Sequence, residues 1–65
     1  MEEIVKVEYK SSYGDRSYET LYRTANGVYY LNSQWNGGRE VLTEMAHKVA
    51  QEWLKARHLS LDRYM

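Results

Sequence analysis

The chain has 65 residues, nine basic and nine acidic side chains, no cysteine and no proline. That length allows one small domain, residues 1–65, with a modest core, and excludes disulfide or thiolate-metal support. Zero net charge, balanced in both halves of the chain, excludes a broad electrostatic footprint for nucleic acid or anionic membrane.

The first strand is expected over about residues 4–10, where Val5, Val7 and Tyr9 alternate with Lys6, Glu8 and Lys10. Tyr13-Gly14-Asp15 marks a turn, and a second strand follows from about Ser17 to Thr24. Asn26-Gly27 then predicts a two-residue type I′ hairpin into a third strand from Val28 to about Gln34. In that register Thr24 faces Tyr29 and Tyr22 faces Leu31. One face of the sheet then carries Tyr18, Tyr22, Tyr29, Leu31 and Trp35. The other carries Glu19, Leu21, Arg23, Tyr30 and Asn32, since directly opposite residues share a face.

Asn36-Gly37-Gly38 ends the third strand and offers a helix cap at Asn36 or Gly38. From Arg39 to Arg57, Leu42, Met45, Ala46, Val49, Trp53 and Ala56 recur at helical spacing, with Glu40, Glu44, Lys48, Gln51 and Lys55 opposite. Val41, Ala50 and Leu54 widen the apolar arc. The expected fold is α+β: a three-stranded antiparallel meander with one C-terminal helix packed on one face, β-β-β-α. Its expected core is Val5, Val7, Tyr22, Leu31, Leu42, Val49 and Trp53. The tail from Leu59 to Met65 is unusually apolar.

Catalytic constellations are sparse. His47 and His58 are too far apart along a helix to share one metal, and Glu44-x-x-His47 is half of a di-metal pattern at best. No serine lies in a Gly-x-Ser-x-Gly turn. Gly37-Gly38-Arg39 before a helix would suit an anion but lacks the lysine of a phosphate loop. These absences argue against an enzyme and call for no metal and no cofactor.

What remains is surface. The face opposite the helix is expected to present Lys6, Leu21, Arg23, Val28, Tyr30 and Asn32, a mixed apolar and charged patch suited to another protein. Ala50 and Leu54, on the widened flank of the helix, suit a second copy or a partner. The element order resembles that of the three-strand-plus-helix DNA readers, the arm-binding domains of tyrosine integrases and the plant ERF-type domains. That resemblance implies a sheet face laid in the major groove. The first expectation is a small cytoplasmic protein-binding module, a modulator or inhibitor of a larger protein, able to form a homodimer. A DNA-binding domain using the open sheet face is the alternative. The lack of cysteine and of a secretory-type N-terminus point to the cytoplasm.

Overall fold

The computed structural model describes residues 1–36, 38–59 and 63. Among the described residues four strands precede a helix: β1 Glu2–Lys10, β2 Arg16–Arg23, β3 Tyr29–Trp35, β4 Glu40–Met45 and α1 His47–Ala56. The strands form one antiparallel sheet in the order β1-β2-β3-β4. The architecture is thus α+β with a C-terminal helix, as the pattern implies, but with four strands rather than three.

The extra strand is cut from the expected helix. Glu40 to Met45 has two periods superposed, since Val41, Thr43 and Met45 alternate with Glu40, Leu42 and Glu44 as well as fitting a helical wheel. Two β-branched residues in six and an open edge on β3 favour the strand. Ala46, extended at ψ 153°, separates β4 from the helix. Glu44 and Lys48 therefore share no helix turn, and Asn36 and Gly38 cap no helix. Gly38-Arg39 leads into a strand, which removes the basis for an anion site there.

The hairpin loops set which side chains meet. Thr24 N–H donates to the Val28 carbonyl at 2.9 Å, and Gly27 N–H to the Thr24 carbonyl at 3.0 Å. The loop is three residues, Ala25-Asn26-Gly27, with only Gly27 at positive φ (82°). A type I′ turn would need positive φ at Asn26 as well; a three-residue turn ending in a left-handed glycine does not. Ser11 to Asp15 is built alike, with Gly14 at φ 87°. In each loop a hydroxyl, Ser11 Oγ or Thr24 Oγ1, accepts the N–H four residues on.

One extra loop residue changes the register by one, and parity does the rest. Leu21 faces Leu31, Tyr22 faces Tyr30 and Arg23 faces Tyr29. Odd-numbered residues of β2, β3 and β4 lie on the helix side and even-numbered ones on the open side. On β1 a bulge between Glu3 and Val5 lets both Ile4 and Val5 pack on the core.

The core is Leu21, Tyr29, Ala50, Trp53 and Leu54, with Ile4, Val5, Val7, Leu31, Met45 and Leu59 against it. Val5, Val7, Leu31 and Trp53 take their expected places. Tyr22 does not, because register puts it on the open face, and Leu42 and Val49 are 54% and 48% exposed. Beyond Ala56 the chain turns through His58 at φ 58°, with His58 N–H on the Lys55 carbonyl and Leu59 N–H on the Leu54 carbonyl. This is the double closure of a Schellman motif, and Leu59 supplies its apolar contact to the core. The rest of the tail, apart from Arg63, lies outside the described residues. Among those residues no helix is long and apolar enough to cross a membrane.

Candidate functional site

Two polar assemblies occupy opposite sides of the sheet. On the helix side, Glu19 lies two residues from the core Leu21 and is nearly as buried, at 7% exposure. A buried carboxylate needs donors. Tyr9 supplies its hydroxyl at 2.7 Å, and Arg57, just past the helix, reaches back with Nη2 at 2.7 Å, both to Oε1. Arg57 Nε also donates to the Tyr9 hydroxyl at 2.6 Å, and Nη1 to the Trp53 carbonyl at 3.1 Å. The guanidinium lies 4.2 Å from the Trp53 ring centroid and 6.0 Å from that of Tyr9. Tyr9 in turn stacks on Trp35 at 6.4 Å, above the small Ser17 that stands between their strands.

Burial alone would raise the Glu19 carboxyl above its ordinary range. The hydrogen bonds from Tyr9 and Arg57, then the Arg57 charge, outweigh it and hold the group low. Arg57 is likewise held high, its own burial overcome by Glu19. For Tyr9, burial and the hydrogen bond to Glu19 push the phenol up. The Trp53 indole N–H is buried without a geometrically acceptable acceptor; Glu19 gains only the weakest of its stabilising influences from it. All three polar groups are thus locked in their charged or hydrogen-bonded forms. The cluster fastens the helix end to β1 and β2 and holds no group poised for proton transfer near neutral pH.

On the open side, the strands bring Lys6, Tyr18, Thr20, Tyr22, Asn32 and Gln34 together, with Glu3 and Glu40 at the margins. They enclose a hollow of about 350 Å³. A second hollow of about 450 Å³, lined by Met1, Tyr22, Asn32, Glu40 and Leu42, shares three of those residues, so the two form one trough across the sheet. Thr20 is its floor, only 5% exposed although among the described residues no helix covers it. The flanking aromatic and long side chains shield it. Lys6 Nζ stands 4.7 Å from the Tyr18 ring centroid, a cation–π contact. A third hollow, about 540 Å³, sits at the far end of the sheet by Met1, Arg23 and Ala25 and gathers fewer side chains of the sheet face.

The expected binding residues therefore divide. Lys6, Tyr30 and Asn32 lie on the open face. Leu21 does not: it is fully buried beneath the helix. Arg23 follows it to the helix side, where it pairs with Glu2 at 2.7 Å. Val28 is half-buried at the hairpin end, next to Thr24. The one-residue change in loop length accounts for the exchange of Leu21 and Arg23. Ala50 and Leu54, expected on a partner surface, are fully buried in the core. With only ten helical residues, α1 turns Ala50, Trp53 and Leu54 toward the sheet and leaves Val49 and Ala56 exposed. Sequence reasoning missed Tyr18, Thr20, Tyr22 and Gln34 for the open face, and the Arg57–Glu19–Tyr9 cluster altogether. Arg57 does continue the apolar row of Trp53 and Leu54, an unusual place for a cation and the one signal that it must be paired.

His47 stacks on Tyr29 at 5.4 Å, at the helix start. No group of three or more metal-ligating side chains gathers among the described residues. Compared with models of known protein families, with curated proteins and with solved structures, the chain finds no match.

Proposed function

We propose that the chain is a protein-binding module acting in the cytoplasm, a modulator or inhibitor of a larger protein, and that its contact surface is the open trough centred on Tyr22 and Asn32. The observation that carries this reading is the trough itself: a sheet face, open among the described residues, where tyrosines, amides and one lysine converge over a shielded threonine. Tyrosine gives large contact area at low entropic cost, and amides adapt to varied donors and acceptors. The role is one of binding and not catalysis, without cofactor or metal.

The alternative, a duplex DNA reader, has the sheet face but not the charge. Strand register gives that face Glu3, Glu8, Glu40 and Glu44 against Lys6, Lys10 and Arg16. Phosphate contacts need cations in excess.

Affinity capture from the source cell tests the reading, comparing wild type with Tyr22→Ala, Lys6→Ala and an exposed helix control, Glu52→Ala. A protein held by wild type and control but lost from the two face variants is expected. Capture lost only with the control would move the surface to the helix, and duplex binding that falls steeply between 50 and 200 mM salt, on the order of a thousandfold, would favour DNA.

A further inference from the structure

Among the described residues the sheet ends in two edge strands, β1 and β4, with Arg63 beside the Glu2–Ile4 end of β1 and not beside Lys6–Lys10, and the two edges differ. β1 has alternating charge and a bulge, two devices that blunt an edge. β4 is regular in register and presents Val41 and Leu42 at 51% and 54% exposure. Among the described residues Glu40, Glu44 and Lys10 form no ion pair, and Lys6 engages only the Tyr18 ring.

We infer that these edges fit each other: β4 of one copy pairs antiparallel with β1 of a second, extending the sheet head to tail. Because β1 and β4 run in opposite directions in the meander, a copy placed alongside in the plane of the sheet meets the edge antiparallel with its helix on the same side. Face parity restricts the register to slips of two. One register sets Glu40 opposite Lys10 and Glu44 opposite Lys6 on the open side. On the helix side it sets Val41 opposite Tyr9 and Thr43 opposite Val7. Slipping by two in either direction replaces an ion pair with two glutamates, Glu40 or Glu44 against Glu8. Opposite charges directly across a ladder stabilise it and like charges oppose it.

Symmetric pairings serve less well. β4 against β4 gathers Glu40 and Glu44 of both copies with no cation between them. β1 against β1 leaves the exposed apolar side chains of β4 without a partner. The head-to-tail contact answers both edges, and because it is heterologous it propagates into a ring or an open array. It engages Lys6, Glu40 and Leu42 at the margins of the trough but leaves Thr20, Tyr22 and Asn32 uncovered, so Tyr22→Ala tests the proposed function without touching the edge contact and the two readings fail separately.

The absence of native cysteine permits a clean test. Leu42 and Glu8 are both exposed, lie directly opposite in the chosen register and take no part in either ion pair. Leu42→Cys and Glu8→Cys proteins would be mixed in equal amounts under mild oxidation, beside a Leu42→Cys and Lys10→Cys mixture two residues out of register. Opposed strand residues have Cα atoms roughly 4.5–5.5 Å apart, within disulfide reach. Within one molecule the edges are three strand spacings apart, about 14 Å, so the link forms only between copies. A mixed 42–8 dimer forming well ahead of the out-of-register pair, and of either protein with itself, is the expected result. Sedimentation should show wild type assembling beyond the dimer, Glu44→Lys weakening that about fivefold, and Lys6→Glu in the same chain restoring it. Self-linked 42–42 or 8–8 dimers forming as fast as the mixed one, or a wild type that stays monomeric at every concentration, would overturn the inference.

Discussion

The two faces of this sheet are made by the same strands, yet they treat polar groups in opposite ways. On the helix side a carboxylate is clamped by a guanidinium and a phenol, both on one oxygen, and its carboxyl is held low. On the open side, amides, hydroxyls and one lysine surround a shielded threonine. The difference teaches that alternation alone does not tell inside from outside. The loop length does, because one residue more or less exchanges a strand's two sets of side chains.

The largest expected effect separates two leucines that fit one helical wheel. Leu54→Ala empties a fully buried site and should cost about 2–5 kcal/mol, while Leu42→Ala, on an exposed edge, should stay within about 0.5 kcal/mol. Urea midpoints check both. Equal losses would mean the segment from Glu40 to Met45 is helix after all.

Next comes the clamp. Arg57→Ala leaves Glu19 buried without its cation and should cost about 2–3 kcal/mol, less than a fully buried pair because Arg57 is partly exposed. Its pH dependence is the sharper readout. In wild type the Glu19 carboxyl is held below its ordinary 4.5 in the fold, so its contribution is present above that pH and lost as pH falls through the lower folded value. Without Arg57, burial dominates and the folded value rises. The deficit of the variant should then shrink on acidification below about pH 5, as protonation relieves the uncompensated charge. A deficit constant from pH 7 to pH 3, measured by thermal melts, would show that Glu19 is not the group relieved.

Smaller effects belong to the turns. Gly27→Val forces a β-branched residue to φ 82° and should destabilise by about 1–2 kcal/mol in urea. His58→Gly removes a side chain from the left-handed position that closes the helix and should stabilise by about 0.5 kcal/mol. A loss at His58 would show that its side chain contributes more than its backbone strain costs.

Much of the fold was legible. Three strands fall within two residues of where alternation puts them, and the antiparallel meander and C-terminal helix follow from turn residues and the change of period. The fourth strand was not, because six residues can satisfy both periods and the choice lies with the free edge of β3, a tertiary fact. The register was misread because Asn26-Gly27 favours the two-residue turn locally. The hydroxyl that closes the longer loop sits upstream at Thr24, a pattern that Ser11 and Gly14 repeat thirteen residues earlier. Of the open face, Lys6, Tyr30 and Asn32 could be read; Tyr22 and Leu21 were exchanged by parity. The Arg57–Glu19–Tyr9 cluster joins three distant positions and leaves no local trace beyond a cation on an apolar row.

The assignment of faces is tested most directly by two neighbouring single-cysteine variants, Leu21→Cys and Tyr22→Cys, labelled with a small thiol reagent under native conditions. Cysteine at 22 should react at nearly the rate of the unfolded chain. Cysteine at 21, under the helix, should react slower by roughly two orders of magnitude or more, its rate set by opening of the fold. The opposite order of rates would contradict the register and, with it, the assignment of the open face.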